Sequence, residues 1–404
     1  MGFQHGLSGL NAAARNLDVI GHNVANANTV GAKSSRAEFG DVIANTVYGS
    51  GAQFGGLGVQ VDRVAQQFSQ GDLASTANPL DLAINGSGFF RLSDNGMITY
   101  SRNGQFGLDK DGYIVNSGGS RLTGYPADGN GVIQPGVPAD LRMVTGDISP
   151  RATSSVEAML NLDSRAEART AAFDLDDPTT YNSATSLGVF DAQGGDTTLA
   201  LYFQKTAANT WDVYAAADGN QIGTTPVGQL SFQANGTVDT AASPMPITIA
   251  VPNAQGGVDN VEVDLGSSTQ YGSVFGVNHL SQDGFTTGRL AGYSISDEGI
   301  ITARYTNGQT RAQGQVALAN FPNPQGLVSL GGNVWAESAE SGVAMVGSPA
   351  SASLGVIQSG ALEQSNVDLT AELVNMITAQ RSYQANAQTI KTQDQILQTI
   401  VNLR

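Results

Sequence analysis

The three histidines are the side chains of this sequence best suited to bind a metal or carry a proton. They are His5, His22 and His279, and their spacing matches no HExxH or paired-ligand motif. His5 and His22 fall in a predicted helix about five turns apart at 3.6 residues per turn, too far apart to share one ion. Exposed or interface histidines are therefore favoured. We expect no metal, catalytic or cofactor site.

Acidic and glycine-rich segments resemble ligand sites only in part. Asp109-Lys-Asp-Gly112 begins like a calcium loop, but the distal glutamate is missing, so a hairpin turn is favoured. Gly55-Gly56-Leu-Gly58 lacks the Lys-Ser/Thr of a phosphate loop, and no GxSxG motif occurs. Because the chain has 35 acidic residues, a carboxylate pair suited to glycoside hydrolysis would arise by chance. An enzyme is the least favoured class.

Composition excludes several kinds of partner. The net charge of −16 disfavours nucleic acid and anionic membranes, which are also negative. The absence of Cys excludes disulfides and thiolate metal sites. No apolar run approaches the ~18 residues of a membrane helix, and the first residues lack the pattern of a cleaved signal peptide. These local signals alone would predict a cytosolic protein.

Proline and glycine divide the chain into two ends and a middle. All 13 Pro residues lie between Pro79 and Pro349, and no Gly follows Gly360. Pro costs a helix interior about 3 kcal/mol and Gly about 1 kcal/mol. Both ends can therefore be helical, and we expect residues 1–30 and 359–404 to form a terminal helical polymerisation domain.

Apolar residues recur every seven positions at both ends, as in helices that pack in coiled-coil fashion. A tail helix of ~40 residues would span ~60 Å at 1.5 Å per residue, more than a small β domain could cover. We therefore predict a self-assembly surface that other copies complete. In the N-terminal helix its residues are Phe3, Leu7, Leu10, Ala14, Leu17 and Val24. In the C-terminal helix they are Leu362, Leu369, Leu373, Met376, Tyr383, Ile390, Leu397 and Val401.

The middle of the chain has the pattern of short strands separated by turns. Asp94-Asn95-Gly96 and Asp297-Glu-Gly299 each lie between apolar segments and predict hairpins. Residues 197–203 and 211–214 are also predicted strands. The predicted fold class is mixed and mainly β, with two β domains in the middle and terminal α-helices that pair as a coiled-coil-like stalk on assembly.

We place the domain boundaries where composition changes. Residues 31–70 are expected to be an extended connector, and residues 71–145 with 285–358 an inner β domain. Residues 146–284, which are rich in Thr, Asp and Ala, are expected to form an outer β domain inserted into the inner one.

Several segments together resemble the family of bacterial flagellar rod and hook proteins, the axial proteins of the flagellum. Ala32 departs from the family, which usually has an aromatic residue there. The resemblance does not extend over 146–284. The matching segments are SGLNAAARNLDVIGHNVANANT at 8–29, GAK at 31–33, LDLAING at 80–86, YSRNGQF at 100–106, GALEQSNVDL at 360–369 and ELVNMITAQRSYQ at 372–384.

This resemblance implies a structural protein and not an enzyme. Members of the family leave the cell unfolded through the flagellar type III export apparatus, without a cleaved signal peptide, and their ends become helical on assembly. The implied location is the extracellular hook of the flagellum. The implied partners are other copies of the chain, the distal rod protein, the hook cap protein and the hook–filament junction protein, with no nucleic acid and no membrane insertion.

The inserted segment 146–284 favours a hook-type member over a shorter rod-type member. A hook-type subunit would build a curved, flexible tube that joins rod to filament and transmits torque as a universal joint. Two alternatives remain open at this point. A distal rod-type protein would form a straight, stiff tube, and a surface adhesin-like β protein would not need its two ends.

Overall fold

The computed structural model describes residues 2–43 and 56–402. Within these residues there is one long α-helix at each end of the chain, and most of the remainder is β-strand: α1 spans Gly2–Ala25 and α2 spans Leu369–Asn402. The predicted mixed, mainly β fold class is confirmed. Neither of these helices has a stretch apolar and uncharged enough to cross a bilayer, as judged over the described residues.

The strands are short and follow one another closely along the chain. The first ten are β1 (Ser35–Ile43), β2 (Gly56–Gln66), β3 (Leu73–Ser75), β4 (Leu82–Asn85), β5 (Phe89–Asp94), β6 (Met97–Ser101), β7 (Phe106–Leu108), β8 (Ile114–Asn116), β9 (Arg121–Pro126) and β10 (Ala139–Asp140). The next ten are β11 (Ser155–Asp163), β12 (Ser183–Phe190), β13 (Asp196–Ala207), β14 (Thr210–Ala217), β15 (Asn220–Gln221), β16 (Gly228–Ser231), β17 (Ile247–Pro252), β18 (Val258–Asp264), β19 (Thr269–Tyr271) and β20 (Gly276–Gln282). The last nine are β21 (Leu290–Ile295), β22 (Ile300–Tyr305), β23 (Thr310–Val316), β24 (Leu318–Asn320), β25 (Val328–Gly331), β26 (Val334–Ala336), β27 (Met345–Gly347), β28 (Val356–Ser359) and β29 (Ala361–Glu363).

The chain forms two compact units. Unit 1 comprises Met1–Thr145, Tyr293–Ala303 and Arg311–Arg404, and unit 2 comprises Gly146–Gly292 and Arg304–Thr310. Unit 2 is thus inserted into unit 1, and strands β21 and β22 cross the boundary between them.

Unit 1 contains both helices and an antiparallel sheet in the order β23-β9-β5-β6-β26-β25. Apolar side chains of β4, β5 and β9, such as Ile84, Phe90 and Leu122, are fully buried in its core. A second, aromatic cluster surrounds Phe89 and Trp335, whose rings meet edge-on at 5.9 Å. Two small ladders attach the C-terminal strands to this unit, because β28 pairs with β4 and β29 pairs with β3.

Unit 2 contains two sheets with one shared core. One sheet has the order β17-β18-β11-β19, with β20 also on β11, and the other has the order β12-β13-β14-β15, with β16 also on β14. In β17, alternate residues are buried, as expected of a strand with one face in a core. Trp211 lies in this core, and its indole Nε1 donates to Gln270 Oε1 at 3.1 Å.

The turns predicted from sequence are confirmed. Asn95 and Gly96 have φ angles of 50° and 93°, and they join β5 to β6 in an antiparallel hairpin. Positive φ at both central residues is what an Asn-Gly hairpin turn requires. Residues 109–112 form the turn between β7 and β8, so this segment is a turn, as the missing calcium ligand indicated. Gly55 lies outside the described residues, and residues 56–58 begin β2.

Two expectations about the ends need correction. Leu362 was predicted on the tail helix, but it lies on β29 opposite Ala74. The helix begins only at Leu369, because the Asp368 carboxylate accepts from the amides of Thr370 and Ala371 at 2.8 and 3.1 Å and so caps it. The absence of Gly and Pro permits a helix, but here strand pairing determines the conformation of residues 361–363.

Residues 31–70 were expected to be an extended connector, and this was incomplete. Within the described part of this segment, β1 and β2 pair as an antiparallel two-stranded sheet. Pairing satisfies backbone hydrogen-bonding groups that an isolated extended segment would leave to water. The segment is therefore a defined element of unit 1.

Candidate assembly site

The two terminal helices pack against each other in antiparallel orientation. Gly6 faces Ile390 and Gly9 faces Asn386, so positions ascend along α1 as they descend along α2. A Cβ atom placed on Gly6 would lie 2.9 Å from Ile390 Cγ1. Glycine at this position therefore allows the helices to approach closely. At the other end of the pair, the Asn23 amide donates to Glu372 Oε1 at 3.1 Å.

The inward face of α1 consists mainly of small side chains. Ala12, Ala13 and Ile20 are buried on α1, and Ala379 is buried on α2. Each Å² of buried apolar surface contributes about 25 cal/mol to stability. Small side chains bury little of this surface and therefore contribute little. The pairing of the two helices within one chain thus leaves most of their large apolar residues outside the buried contact.

The predicted assembly residues of α1 lie outside this inward face. Phe3 and Leu7 are 46 % and 44 % exposed. The other four, Leu10, Ala14, Leu17 and Val24, are half-buried. The heptad pattern identified an apolar stripe that the helix pair leaves partly open.

The predicted assembly residues of α2 are divided between its faces. Met376 and Ile390 are half-buried, and Ile390 faces Gly6 of α1, whereas four others are exposed. Leu362 is buried in β29, and Val401 lies in the last turn of α2 with its side chain outside the described residues. The four exposed residues are Leu369, Leu373, Tyr383 and Leu397.

Sequence reasoning missed three exposed apolar residues of α2. They are Val374, Ile377 and Ile396, and each is more than half exposed. Leu369, Leu373 and Ile377 follow one another at intervals of four and therefore share one face of the helix. A search for spacing of four, in addition to spacing of seven, would have found this stripe.

A cavity of about 700 Å³ lies between α1, α2 and the sheet of β1 and β2. Its lining includes Ala13 and Ile20 of α1, Ala379 of α2 and Phe39 of β1. The Oε2 atom of Glu372, also in the lining, is buried without a hydrogen-bond partner among the described residues. The lining thus combines apolar side chains with polar ones, among them Asn16, Ser382 and Asn386.

The segments that follow α1 and precede α2 are anchored to the antiparallel sheet of unit 1 by a buried ionic cluster. We call this cluster the Glu363 junction: Lys33, Arg102 and Glu363. Lys33 Nζ donates to Glu363 Oε1 at 2.5 Å, and Arg102 Nη1 donates to Glu363 Oε2 at 3.0 Å. The side chains of Lys33 and Glu363 are fully buried, and that of Arg102 is 5 % exposed. The anchoring segments of α1 and α2 thus meet in the interior of unit 1.

Burial and ion pairing act in opposite directions on these cations. Burial lowers the pKa of Lys33, and the Glu363 carboxylate partly offsets this by favouring the charged ammonium. Burial likewise lowers the pKa of Arg102, again against the opposing effect of Glu363. Each cation has further polar partners, since Lys33 Nζ also donates to Ser69 O and Arg102 Nη2 to Gly86 O.

The sequence did not single out these three residues as a site. Each lies in a segment that carries the family resemblance: Lys33 in GAK, Arg102 in YSRNGQF and Glu363 in GALEQSNVDL. The charged residue in each of these segments was the available signal, since a charge that becomes buried requires a partner.

The histidines do not converge on a metal site. No group of three or more His, Cys, Asp or Glu side chains suited to a metal ion occurs among residues 2–43 and 56–402. The ring of His22 lies 3.3 Å from the Asn26 amide nitrogen, and His279 Nε2 lies 3.1 Å from Ser281 Oγ. Both contacts are local and exposed.

Models of four flagellar families match successive parts of the chain. Residues 3–33 match the flagella basal body rod protein family, and residues 83–151 the flagellar hook protein FlgE/F/G D1 domain. Residues 161–285 match the flagellar basal body protein FlaE D2 domain, and residues 358–403 the C-terminal region of the flagellar basal body rod FlgEFG protein. The matches include both helices and most of the inserted unit.

Full-length relatives point to one member of this group. The chain is 44 % identical over 411 residues to the flagellar hook protein FlgE of Escherichia coli K12, with 100 % of both chains covered. It is 34 % identical to that of Rhizobium meliloti and 32 % identical to that of Borreliella burgdorferi, each with 99 % of this chain and 98 % of the relative covered. The crystal structure of Helicobacter pylori flagellar hook protein FlgE2 shares the fold, with a TM-score of 0.56 at 13 % identity over 72 % of this chain and 100 % of that chain. Because relatives above 30 % identity match over the whole length, the chain belongs to the flagellar hook protein family.

Proposed function

We propose that this chain is a structural subunit of the flagellar hook that polymerises through its terminal helices. The polymer would be a curved, flexible tube that joins the rod to the filament and transmits torque as a universal joint. The exposed apolar residues of the helix pair carry this proposal, because Phe3, Leu7, Leu373 and Ile377 remain without a buried environment in the single chain.

The two alternatives have less support. A distal rod-type protein would share the ends, but the full-length relatives reported above are named as hook proteins. A surface adhesin would not need its two ends, whereas the cavity of about 700 Å³ adjoins the terminal helices. We also infer that the chain is not an enzyme, because it belongs to a family of hook subunits.

The partners and the route of export follow from the same proposal. The chain would leave the cell through the flagellar type III export apparatus without a cleaved signal peptide. It would meet the distal rod protein at one end of the hook and the junction protein at the other, beneath the hook cap protein during growth. Residues 146–284 would form the outer domain of the tube, and residues 71–145 with 285–358 the inner one.

The decisive experiment tests the exposed stripe of α2. Leu373→Ser and Ile377→Ser together should abolish tubes in a strain that lacks its own hook protein, because two apolar contacts between copies are lost. The matched control is Gln380→Ser with Thr378→Ser, two exposed polar positions on the same helix, which should leave tubes intact. Electron microscopy of the cell surface and of purified protein measures the outcome.

Two results would contradict the proposal. Normal tubes in the Leu373→Ser/Ile377→Ser variant would show that this stripe is not an assembly surface. Straight tubes from the unaltered chain, in place of curved ones, would favour the rod-type alternative. Circular dichroism of the purified variant shows whether its β units are folded and thus separates failed assembly from failed folding.

A further inference from the structure

Glu363 joins segments that are far apart in the sequence. Its carboxylate accepts from Lys33, from Arg102 and from the backbone amide of Gly71, at 2.5, 3.0 and 3.0 Å. Its backbone carbonyl accepts from the amide of Gly31 at 2.8 Å. One residue of β29 therefore holds the segment after α1, the segment before β3 and the end of β6.

Gly31 shows how closely these segments approach. Its φ angle is 69°, and a Cβ atom built on it would lie 2.6 Å from the backbone nitrogen of Asn103. No larger residue fits there without displacement of the backbone. Residues 31–33 thus lie against the segment that follows β6, and Gly31 N and Lys33 Nζ both donate to Glu363 of β29.

The position of residues 31–33 depends on the balance of buried charges in the cluster. Two cations and one carboxylate are buried together, and the carboxylate is the only acid paired with Lys33 or Arg102 among the described residues. Removal of one partner of a buried ion pair leaves an uncompensated charge, which is far more costly than the loss of an exposed pair. Without Glu363, burial of both Lys33 and Arg102 would be strongly unfavourable.

The position of the cluster relates it to both helices. α1 ends at Ala25, eight residues before Lys33, and α2 begins at Leu369, six residues after Glu363. These segments span at most ~30 Å and ~20 Å when extended. These two short segments connect the helix pair to the antiparallel sheet of unit 1.

We propose that Glu363 is a positioning residue that makes the seating of the N-terminal segment depend on the presence of the C-terminal strand. A chain that lacks residues 361–363 cannot neutralise Lys33 and Arg102. The segment that follows α1 is then not held in its position until β29 has formed. The helices are then held in the geometry required for assembly only when both ends of one chain are present. This consequence for assembly rests on the proposed function, whereas the coupling of the two ends does not.

The test compares full-length Glu363→Gln with the unaltered chain by hydrogen–deuterium exchange. Gln has almost the same shape as Glu, so a role in packing alone predicts no change. We expect exchange in peptides 30–36 and 69–75 to become about a hundredfold faster, since a buried pair has been broken. Exchange in unit 2, which contains no member of the cluster, should stay unchanged. Glu340→Gln, which removes an exposed carboxylate from the same unit, is the matched control and should have no effect.

A second variant removes all three charges together, Lys33→Met, Arg102→Met and Glu363→Leu. Apolar residues of similar volume can replace a buried ion cluster without loss of stability. We therefore expect this triple variant to restore slow exchange in peptides 30–36 and 69–75. The triple variant also decides the matter if Glu363→Gln alone does not fold.

Three outcomes would overturn the proposal. They are unchanged exchange in Glu363→Gln, equally fast exchange throughout unit 1, and failure of the triple variant to restore the seating. For assembly, Glu363→Gln should require a higher protein concentration to form tubes, and tubes at the unaltered concentration would refute the positioning role there. If the unaltered chain forms no tubes, the proposed function fails, while the exchange measurements still test the coupling of the ends.

Discussion

Unit 2 and the terminal helices differ in where their apolar side chains lie. Unit 2 buries large residues such as Trp211, Phe203 and Leu199 almost completely in one core. The helices bury mainly alanines and leave residues such as Leu373 and Leu397 about half exposed. Unit 2 has a core of its own, whereas the helices have the side chains for a core without the neighbours that would complete it. One chain thus combines a domain with a complete core and helices whose exposed apolar residues, on the proposed function, other copies would cover.

The largest expected effect is on the complete core. Leu199→Ala in unit 2 should lower the free energy of unfolding by about 2–5 kcal/mol, because the side chain is fully buried and leaves a cavity. Denaturant unfolding followed by tryptophan fluorescence and circular dichroism measures it. A change below about 1 kcal/mol would mean that unit 2 is no better packed than the helices.

An intermediate effect is expected at the contact between the helices. Gly6→Leu places a side chain where a Cβ would already lie 2.9 Å from Ile390, and overpacking of this kind costs about 1–3 kcal/mol. Hydrogen exchange along α1 should become faster, with exchange in unit 2 unchanged. Gly21→Ala is the control, because a Cβ there meets no atom within 4 Å.

A smaller effect on the stability of unit 1 is expected at alkaline pH, from the ionisation of Tyr100. Burial, and then the nearby Glu337 carboxylate, raise the pKa of Tyr100 to about 12 from its usual 10.0. The folded state therefore favours the neutral phenol. The resulting contribution to the free energy of unfolding is fully present below pH 10 and is lost as the pH rises from about 10 to about 12.

The variant Tyr100→Phe should show the opposite balance. It loses the hydrogen bond to Glu337 Oε2, which should cost about 1 kcal/mol near neutral pH, but it should lose less stability between pH 10 and 12. Unfolding free energies measured across this range give the comparison. Parallel pH curves for the two proteins would show that Tyr100 does not titrate as inferred.

The smallest effect on a single chain is expected at an exposed leucine. Leu397→Ala should change the unfolding free energy by no more than about 0.5 kcal/mol, because the side chain is 55 % exposed. Both variants replace Leu by Ala, so a difference between them reports only the difference in burial between positions 397 and 199. A loss as large as that at Leu199 would mean that Leu397 is already buried in dilute solution.

The sequence was most informative where structure depends on near neighbours. The turn at Asn95-Gly96, strands β13 and β14 and the helical ends all follow from local spacing and residue type. The assignment of Leu362 to a helix was wrong, because its partner Ala74 is distant in the sequence and pairing was not visible. The same limit applies to the Glu363 junction, whose members are distant along the chain. The inward face of α1 was also missed, since small residues such as Ala13 give no hydrophobic period.

The antiparallel register of α1 and α2 also allows the two helices to be linked by an engineered disulfide. The chain contains no cysteine, so a pair introduced at positions 9 and 386 would be its only thiols. A disulfide between them would close almost the entire polypeptide into a ring. Such a ring could still form tubes if the two helices stay together during polymerisation, but not if they must separate to exchange partners. Reduction of the bond would then start assembly at a chosen moment.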